Sequence, residues 1–260
     1  MGVVNVTPDS FSDGGRYLDH SAAIAHGRTL IAGGADILDV GGESTRPGAE
    51  PVAEAGEIAR VVPVIGALAE ATRVSVDTMK PAVARAAFAA GASMWNDVTA
   101  LRHARDSAAT ATALGCDVVL MHMQGEPRTM QAAPRYDDVV AEVAAFLIER
   151  ADAAIAAGVA RERIWLDPGI GFGKTMAHNL ALIAHLDRLV ALGFPVLFGA
   201  SRKSFLGRID AKAAAADDRL GGSLAAALAA ARAGVAAVRV HDVRETVQAL
   251  SVEAAVGQAR

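Results

Sequence analysis

Short apolar runs and longer alanine-rich stretches alternate eight times along this chain, and that alternation constrains its fold more than any other feature. Runs rich in Val, Ile and Leu at 3–6, 36–40, 73–76, 93–96, 117–121, 163–166, 196–199 and 236–240 read as strands. The stretches at 21–33, 52–70, 81–90, 104–114, 137–157, 177–192, 218–233 and 243–257 carry helical spacing. The strand runs are apolar on both faces, which implies a parallel sheet covered by helices. Eight strand–helix units in 260 residues, about 32 residues each, predict an α/β chain folded as a single-domain (β/α)8 TIM barrel spanning residues 1–260. A doubly wound open sheet is the competing arrangement. It brings a Gly-rich dinucleotide turn after the first strand, and none is present here.

Composition narrows the function classes. Apolar residues make up 52% and charged residues 21%, which excludes a disordered or fibrous chain. The net charge of −4 provides no broad basic field, so nucleic acid is not an expected partner, whereas a small anion needs only a local cluster. One cysteine, Cys116, excludes an internal disulfide and a multi-cysteine zinc site. At the entry to an apolar run it reads as a buried thiol in a reducing compartment, the cytoplasm. The first residues, MGVVNV, lack the basic and long apolar regions of a signal peptide, and Val6 breaks the myristoylation pattern. The most apolar late stretch, 224–238, is interrupted by Arg232 and Gly234 and is too short to span a membrane.

Every strand run ends in polar residues. Asn5 ends the first; Asp39 lies in the second; Asp77, Asn96 with Asp97, His122 and Asp167 end the next four. The seventh runs into Ser201, Arg202 and Lys203, and the eighth contains Arg239 and ends at His241. A single Asp or Asn at such a place is more often a helix cap. Eight coinciding ends are another matter, because a parallel barrel gathers them at one rim, where the loops after the strands build the active site. Asp77, Asn96 and Asp167 supply the acceptors that read the edge of a flat, nitrogen-rich ring. Arg46, Lys203, Arg239 and His241 suit a phosphate or carboxylate. The loops at 7–20 and 41–52 are long and rich in Gly, Pro, Ser and Asp, as binding loops are, and Phe11 is an apolar side chain in otherwise polar surroundings. Two motifs fail. GIGFGKT at 169–175 has three residues where a phosphate-binding P-loop needs four, and it follows Pro168 after the sixth strand. The seven histidines show no HExxH pairing.

The blocks NVTPDSFSDGG, DVGGESTRPGA, SVDT, LMHMQG, DPGIGFGK, SRKSFLG and RVHDV run in order along nearly the whole chain and resemble the dihydropteroate synthase family. That resemblance implies a (β/α)8 barrel of folate biosynthesis, a transferase that joins a dihydropterin carrying a CH2 diphosphate to p-aminobenzoate and releases pyrophosphate. By the same resemblance Asp77, Asn96, Asp167 and Lys203 match pterin-binding positions, with Met121 and Gly199 lining the ring. Asn5, Arg239 and His241 match diphosphate positions, with Mg2+ beside Asn5. Thr45, Arg46, Pro47, Phe172, Ser204 and Phe11 match positions around p-aminobenzoate, which sulfonamide inhibitors mimic. Arg202 receives no direct role. The chain departs from the pattern in one respect: the family's segment before the first strand is missing here.

The implied chemistry breaks a C–O bond and makes a C–N bond. A neutral aromatic amine is already nucleophilic, so charge is the difficulty rather than proton removal. Mg2+, Arg239, His241 and Asn5 stabilise the leaving diphosphate, while Asp77 and Asp167 favour an SN1-like pterin cation and Lys203 completes the catalytic set. No single general base is named. The resemblance also implies a homodimer formed through helices late in the chain. The alternatives are a pterin- or folate-binding barrel of a methyltransferase system and a non-catalytic paralogue.

Overall fold

The computed structural model describes residues 1–7, 20–44, 49–126 and 129–259. Six parallel strands follow one another in chain order: β1 (Gly2–Asn5), β2 (Ile37–Gly41), β3 (Arg73–Asp77), β4 (Met94–Asp97), β5 (Asp117–Met121) and β6 (Ile164–Asp167). β7 (Leu197–Phe198) and β8 (Ala237–Val238) form a parallel pair. Parallel bridges Leu166↔Val196 and Gly2↔Val240 join that pair to β6 and β1, so the sheet closes on itself. Val3 N donates to Val240 O at 3.0 Å and Val240 N to Met1 O at 2.9 Å at the seam. The expected (β/α)8 barrel is therefore present. Its last two strands are shorter than their apolar runs, because pairing beyond them continues as single bridges and isolated hydrogen bonds rather than as a regular ladder.

The α-helices among the described residues are α1 (His20–Ala32), α2 (Glu54–Leu68), α3 (Pro81–Ala89), α4 (Ser107–Leu114), α5 (Val139–Ala156), α6 (Met176–Ala184), α7 (Leu186–Val190), α8 (Ser204–Ile209), α9 (Leu220–Arg232) and α10 (Val243–Gln258). Their ends follow local chemistry. α3 starts on a proline, whose missing N–H costs nothing there. Asp138 caps α5, accepting from Val140 N and Ala141 N at 3.0 Å each. Thr175 and His178 form a capping box on α6. The single helix expected at 177–192 turns at His185 (φ −122°, ψ 30°) and becomes α6 and α7. α8, which begins inside the SRKSFLG block, was not expected. None of the described helices is long and apolar enough to cross a membrane.

Side chains alternate across each strand. Val4, Leu38, Val40, Val74, Val76, Trp95, Val118, Leu120, Leu166 and Phe198 face outward and pack under the helices in the main core. The opposite face points into the barrel. There Met1, Ile37, Met94, Val119 and Leu197 pack with Trp165 and Ala237 as a separate apolar plug. The Met1 ammonium donates to Val238 O at 2.9 Å beside this plug.

Candidate active site

Two residues beyond the plug, the same inward face turns polar. Ile37 is followed by Asp39, Met94 by Asn96, Val119 by Met121, Trp165 by Asp167, Leu197 by Gly199 and Ala237 by Arg239. Asn5 and Asp77 occupy the same face at the ends of β1 and β3, in register with Gly41 between them. The strand alternation thus brings Asn5, Asp77, Asn96, Met121, Asp167, Gly199 and Arg239 to one mouth. Asp97, next along β4, faces the other way. It accepts from Thr99 N at 2.7 Å and Leu101 N at 2.9 Å, and burial pushes its carboxyl up to about 6 against those bonds.

One half of the mouth is cross-paired. The Arg239 guanidinium donates through Nε to Asp39 Oδ2 at 2.6 Å and through Nη2 to Asp77 Oδ2 at 2.9 Å. Asn96 Nδ2 donates to the same Asp39 oxygen at 3.0 Å. Burial and the repelling Asp39 carboxylate push Asp77 up to about 7, against the pull of Arg239. Burial opposes the charge on Arg239, but Asp39 and Asp77 outweigh it and raise its pKa. Asp39 Oδ1, Asn96 Oδ1 and Ser75 Oγ are buried without a hydrogen-bond partner among the described residues. Orphaned buried acceptors cost folding free energy and are rare in native proteins. Two of them, on the hydrogen-bonded Asp39 and Asn96 side chains, are free to accept from the N–H groups of a ligand.

The other half is built on the DPGIGFGK turn after β6. Gly169 (φ 64°) and Gly173 (φ 61°) adopt the left-handed conformation. A Cβ at Gly169 would sit 1.9 Å from His122 O, and one at Gly173 2.4 Å from Gln124 O. The turn wraps Lys174, whose Nζ lies 3.0 Å from Gly169 O, 3.0 Å from Phe172 O and 2.9 Å from His122 Nδ1. Burial lowers Lys174 to about 7, and burial together with Lys174 lowers His122 to about 3, leaving the imidazole a neutral acceptor. Asp167 Oδ1 accepts from Gly169 N at 2.7 Å. Burial raises Asp167 despite Lys203 and that hydrogen bond. Lys203 Nζ donates to Ile170 O and lies 4.5 Å from the centre of the Phe172 ring. Burial lowers it to about 8, with Asp167 opposing. Phe172 packs against Met121, Val98, Met123 and Met130, an apolar wall beside the acceptors.

The β7 and β8 ends are tied together. Ser201 Oγ lies 3.1 Å from His241 Nδ1 and accepts from His241 N at 3.2 Å. Arg202, in the left-handed region at φ 59°, forks onto Asp242 at 3.0 and 2.5 Å. Arg202 thereby clasps the two loops together. Ser204 is exposed at the first turn of α8. Phe11, Thr45, Arg46 and Pro47 lie outside the described residues. No group of three or more His, Cys, Asp or Glu side chains able to hold a metal occurs among the described residues. Asn5, whose neighbours Val4 and Val6 face the outer core, lies on the inward face and carries one amide oxygen. A single hard oxygen donor fits Mg2+, which takes one or two protein ligands when substrate phosphates and water supply the rest.

Sequence reasoning left three buried charged groups without a role. Asp39 was visible as a charge inside ILDVG, a strand buried on both faces. Lys174 stood in a motif set aside as a failed P-loop. Lys80 gave no signal; it pairs with Glu43 and, at 2.5 Å, with the fully buried Glu57, whose carboxyl burial raises against the pull of Lys80.

Comparison with known proteins shows the family and the fold. The profile of a family described as pterin binding enzyme matches residues 1–241. A dihydropteroate synthase of Escherichia coli K12 is 48% identical over 254 residues, covering 97% of this chain and 89% of its own length. A Xanthomonas albilineans dihydropteroate synthase solved with 4-aminobenzoic acid superposes with a TM-score of 0.92 at 53% identity, covering 98% of this chain and 92% of that one. A Yersinia pestis dihydropteroate synthase in a sulfonamide drug complex gives 0.93 at 43% identity, covering 100% and 93%.

Proposed function

From the premise that the chain belongs to the pterin-binding enzyme family, as one of its dihydropteroate synthases, we propose how its rim makes dihydropteroate. The substrates are a dihydropterin carrying a CH2 diphosphate and p-aminobenzoate, and the second product is pyrophosphate. The observation that carries this reading is the cluster of inward acceptors, Asp77, Asn96 and Asp167, beside Arg239 and Lys203 in one barrel mouth. The carboxylates and the orphaned Asn96 oxygen accept the ring's N–H groups, and Met121 and Gly199 leave room for its flat face. Carboxylates near the CH2 group favour positive charge there as the C–O bond breaks. Arg239, His241 and Asn5 take the growing negative charge of the diphosphate. Asn5 would hold Mg2+ together with the diphosphate, and the ion supplies further charge neutralisation on the leaving group.

p-Aminobenzoate attacks as the neutral amine, so no side chain has to remove a proton before the C–N bond forms. Phe172, Ser204, Thr45, Arg46, Pro47 and Phe11 surround it in this reading, and a sulfonamide competes for the same place. Ser201, Arg202, Lys203 and Ser204 are all present, which distinguishes a synthase from a barrel that only binds pterins. The enzyme works as one domain over 1–260, in the cytoplasm, with its buried free thiol Cys116 kept reduced. Homodimer formation through the late helices accords with the exposure of Val252 and Val256 on α10. The test is pyrophosphate release from the pterin diphosphate. Release that depends on p-aminobenzoate and matches dihydropteroate formed supports the reading; pterin binding without turnover overturns it.

A further inference from the structure

Arg239 holds its two carboxylates unequally. Its Nε, at the root of the guanidinium, donates at 2.6 Å to Asp39, which is fully buried and also held by Asn96. Its terminal Nη2 donates at 2.9 Å to Asp77, whose side chain keeps 16% exposure at the mouth. The inner contact is the shorter and the more enclosed; the outer one is longer and faces the opening. One cation thus balances two carboxylates, and it cannot leave Asp77 without exposing two like charges to each other in a poorly solvated place. The same guanidinium is the strand-borne cation at the mouth that an incoming diphosphate would meet.

We propose that Arg239 pivots on Asp39 and is shared between Asp77 and the diphosphate, so that the pterin ring and the anion bind with positive coupling. The inference rests on the preceding assignment of ring and diphosphate to this mouth. Ring N–H groups arriving at Asp77 replace the hydrogen bond and part of the charge compensation that Arg239 supplies. The outer end of the guanidinium then turns to the anion while Nε stays on Asp39. After the C–O bond breaks, loss of the anion returns the guanidinium to Asp77, which competes with the ring and helps it leave. Asp39 is accordingly a positioning residue: it holds the arginine that serves the substrate.

Calorimetric titration of the intact protein with inorganic pyrophosphate, with and without saturating 6-hydroxymethylpterin and at fixed Mg2+ concentration and pH 8, tests this. The expected result is about tenfold tighter pyrophosphate binding in the presence of the pterin and, by linkage, an equal gain for the pterin in the presence of pyrophosphate. In Asp77→Asn the arginine has lost its outer partner. That variant should bind pyrophosphate alone more tightly than wild type, bind the pterin more weakly, and show a coupling factor near one. A merely structural Asp77 would weaken both ligands. Independent binding in the wild type, or full coupling retained in Asp77→Asn, overturns the sharing of Arg239. Failure of the pterin to bind the wild type at all would instead overturn the assignment of the ring to this mouth, and this inference with it.

Discussion

The barrel interior is two layers carried by the same strands, two residues apart, and they obey opposite rules. The lower layer, with Met1, Ile37, Met94, Val119 and Leu197, is apolar and packed, as a protein interior should be. Except at Met121 above Val119, the upper layer replaces the apolar side chains with polar ones or a gap: Asp39 above Ile37, Asn96 above Met94, Gly199 above Leu197. It buries carboxylates next to each other and leaves Asp39, Asn96 and Ser75 atoms without partners among the described residues. The lower layer lowers the free energy of the fold. The upper layer raises it, and in the proposed reading the donors of a ligand complete it.

The largest expected effect lies in the lower layer. Met94 is fully buried, so Met94→Ala should cost about 2–5 kcal/mol of stability, through lost transfer energy and the cavity left behind. Pterin affinity per folded molecule should stay within about twofold of wild type. Denaturant unfolding followed by calorimetric titration checks both, and a large loss of affinity would break the separation of the layers. The reverse pattern is expected at Asp167. Removing its carboxylate leaves ring donors unpaired in a dry place, and Asp167→Ala should lose about 2–4 kcal/mol of pterin binding. Its unfolding midpoint should move less than that of Met94→Ala. Unchanged pterin affinity would remove Asp167 from the site.

The two layers were not equally legible in the sequence. The plug and the outer core follow from apolar periodicity, and each of the eight strand runs overlaps a strand, with ends no more than two residues apart. Chain order and parallel pairing made the rim legible too, since polar residues ended every run. What the sequence hid were pairings set by closure of the barrel. Arg239 and Asp39 lie 200 residues apart, and nothing local to either announces the other. The clasp of Lys174 was hidden for a different reason: besides the His122 ring, its acceptors are backbone carbonyls, which have no side-chain signature. Arg202 was given no direct role, and its fork onto Asp242, set by a left-handed backbone, is another pairing that nothing local in the sequence announces.

A smaller effect sharpens the same contrast. Ser75 sits in the polar layer with an unpartnered buried hydroxyl, so Ser75→Ala should leave pterin affinity unchanged and stabilise the fold by up to about 1 kcal/mol. Destabilisation by that substitution would mean that the hydroxyl supports the barrel.

The claim that the upper layer is maintained against stability is tested most directly by the pH dependence of unfolding in wild type and Asp77→Asn. Asp77 is raised to about 7 by burial and by Asp39, so between about pH 4 and 7 the folded state keeps a proton that the unfolded state has lost. Stability contributed by this group therefore falls as pH rises through that window and levels off above it. The account predicts that wild type loses ground steadily to Asp77→Asn from pH 4 to 7, after which the difference stays constant. A variant less stable than wild type by the same amount at every pH would contradict it, and would make Asp77 a structural support like the residues beneath it.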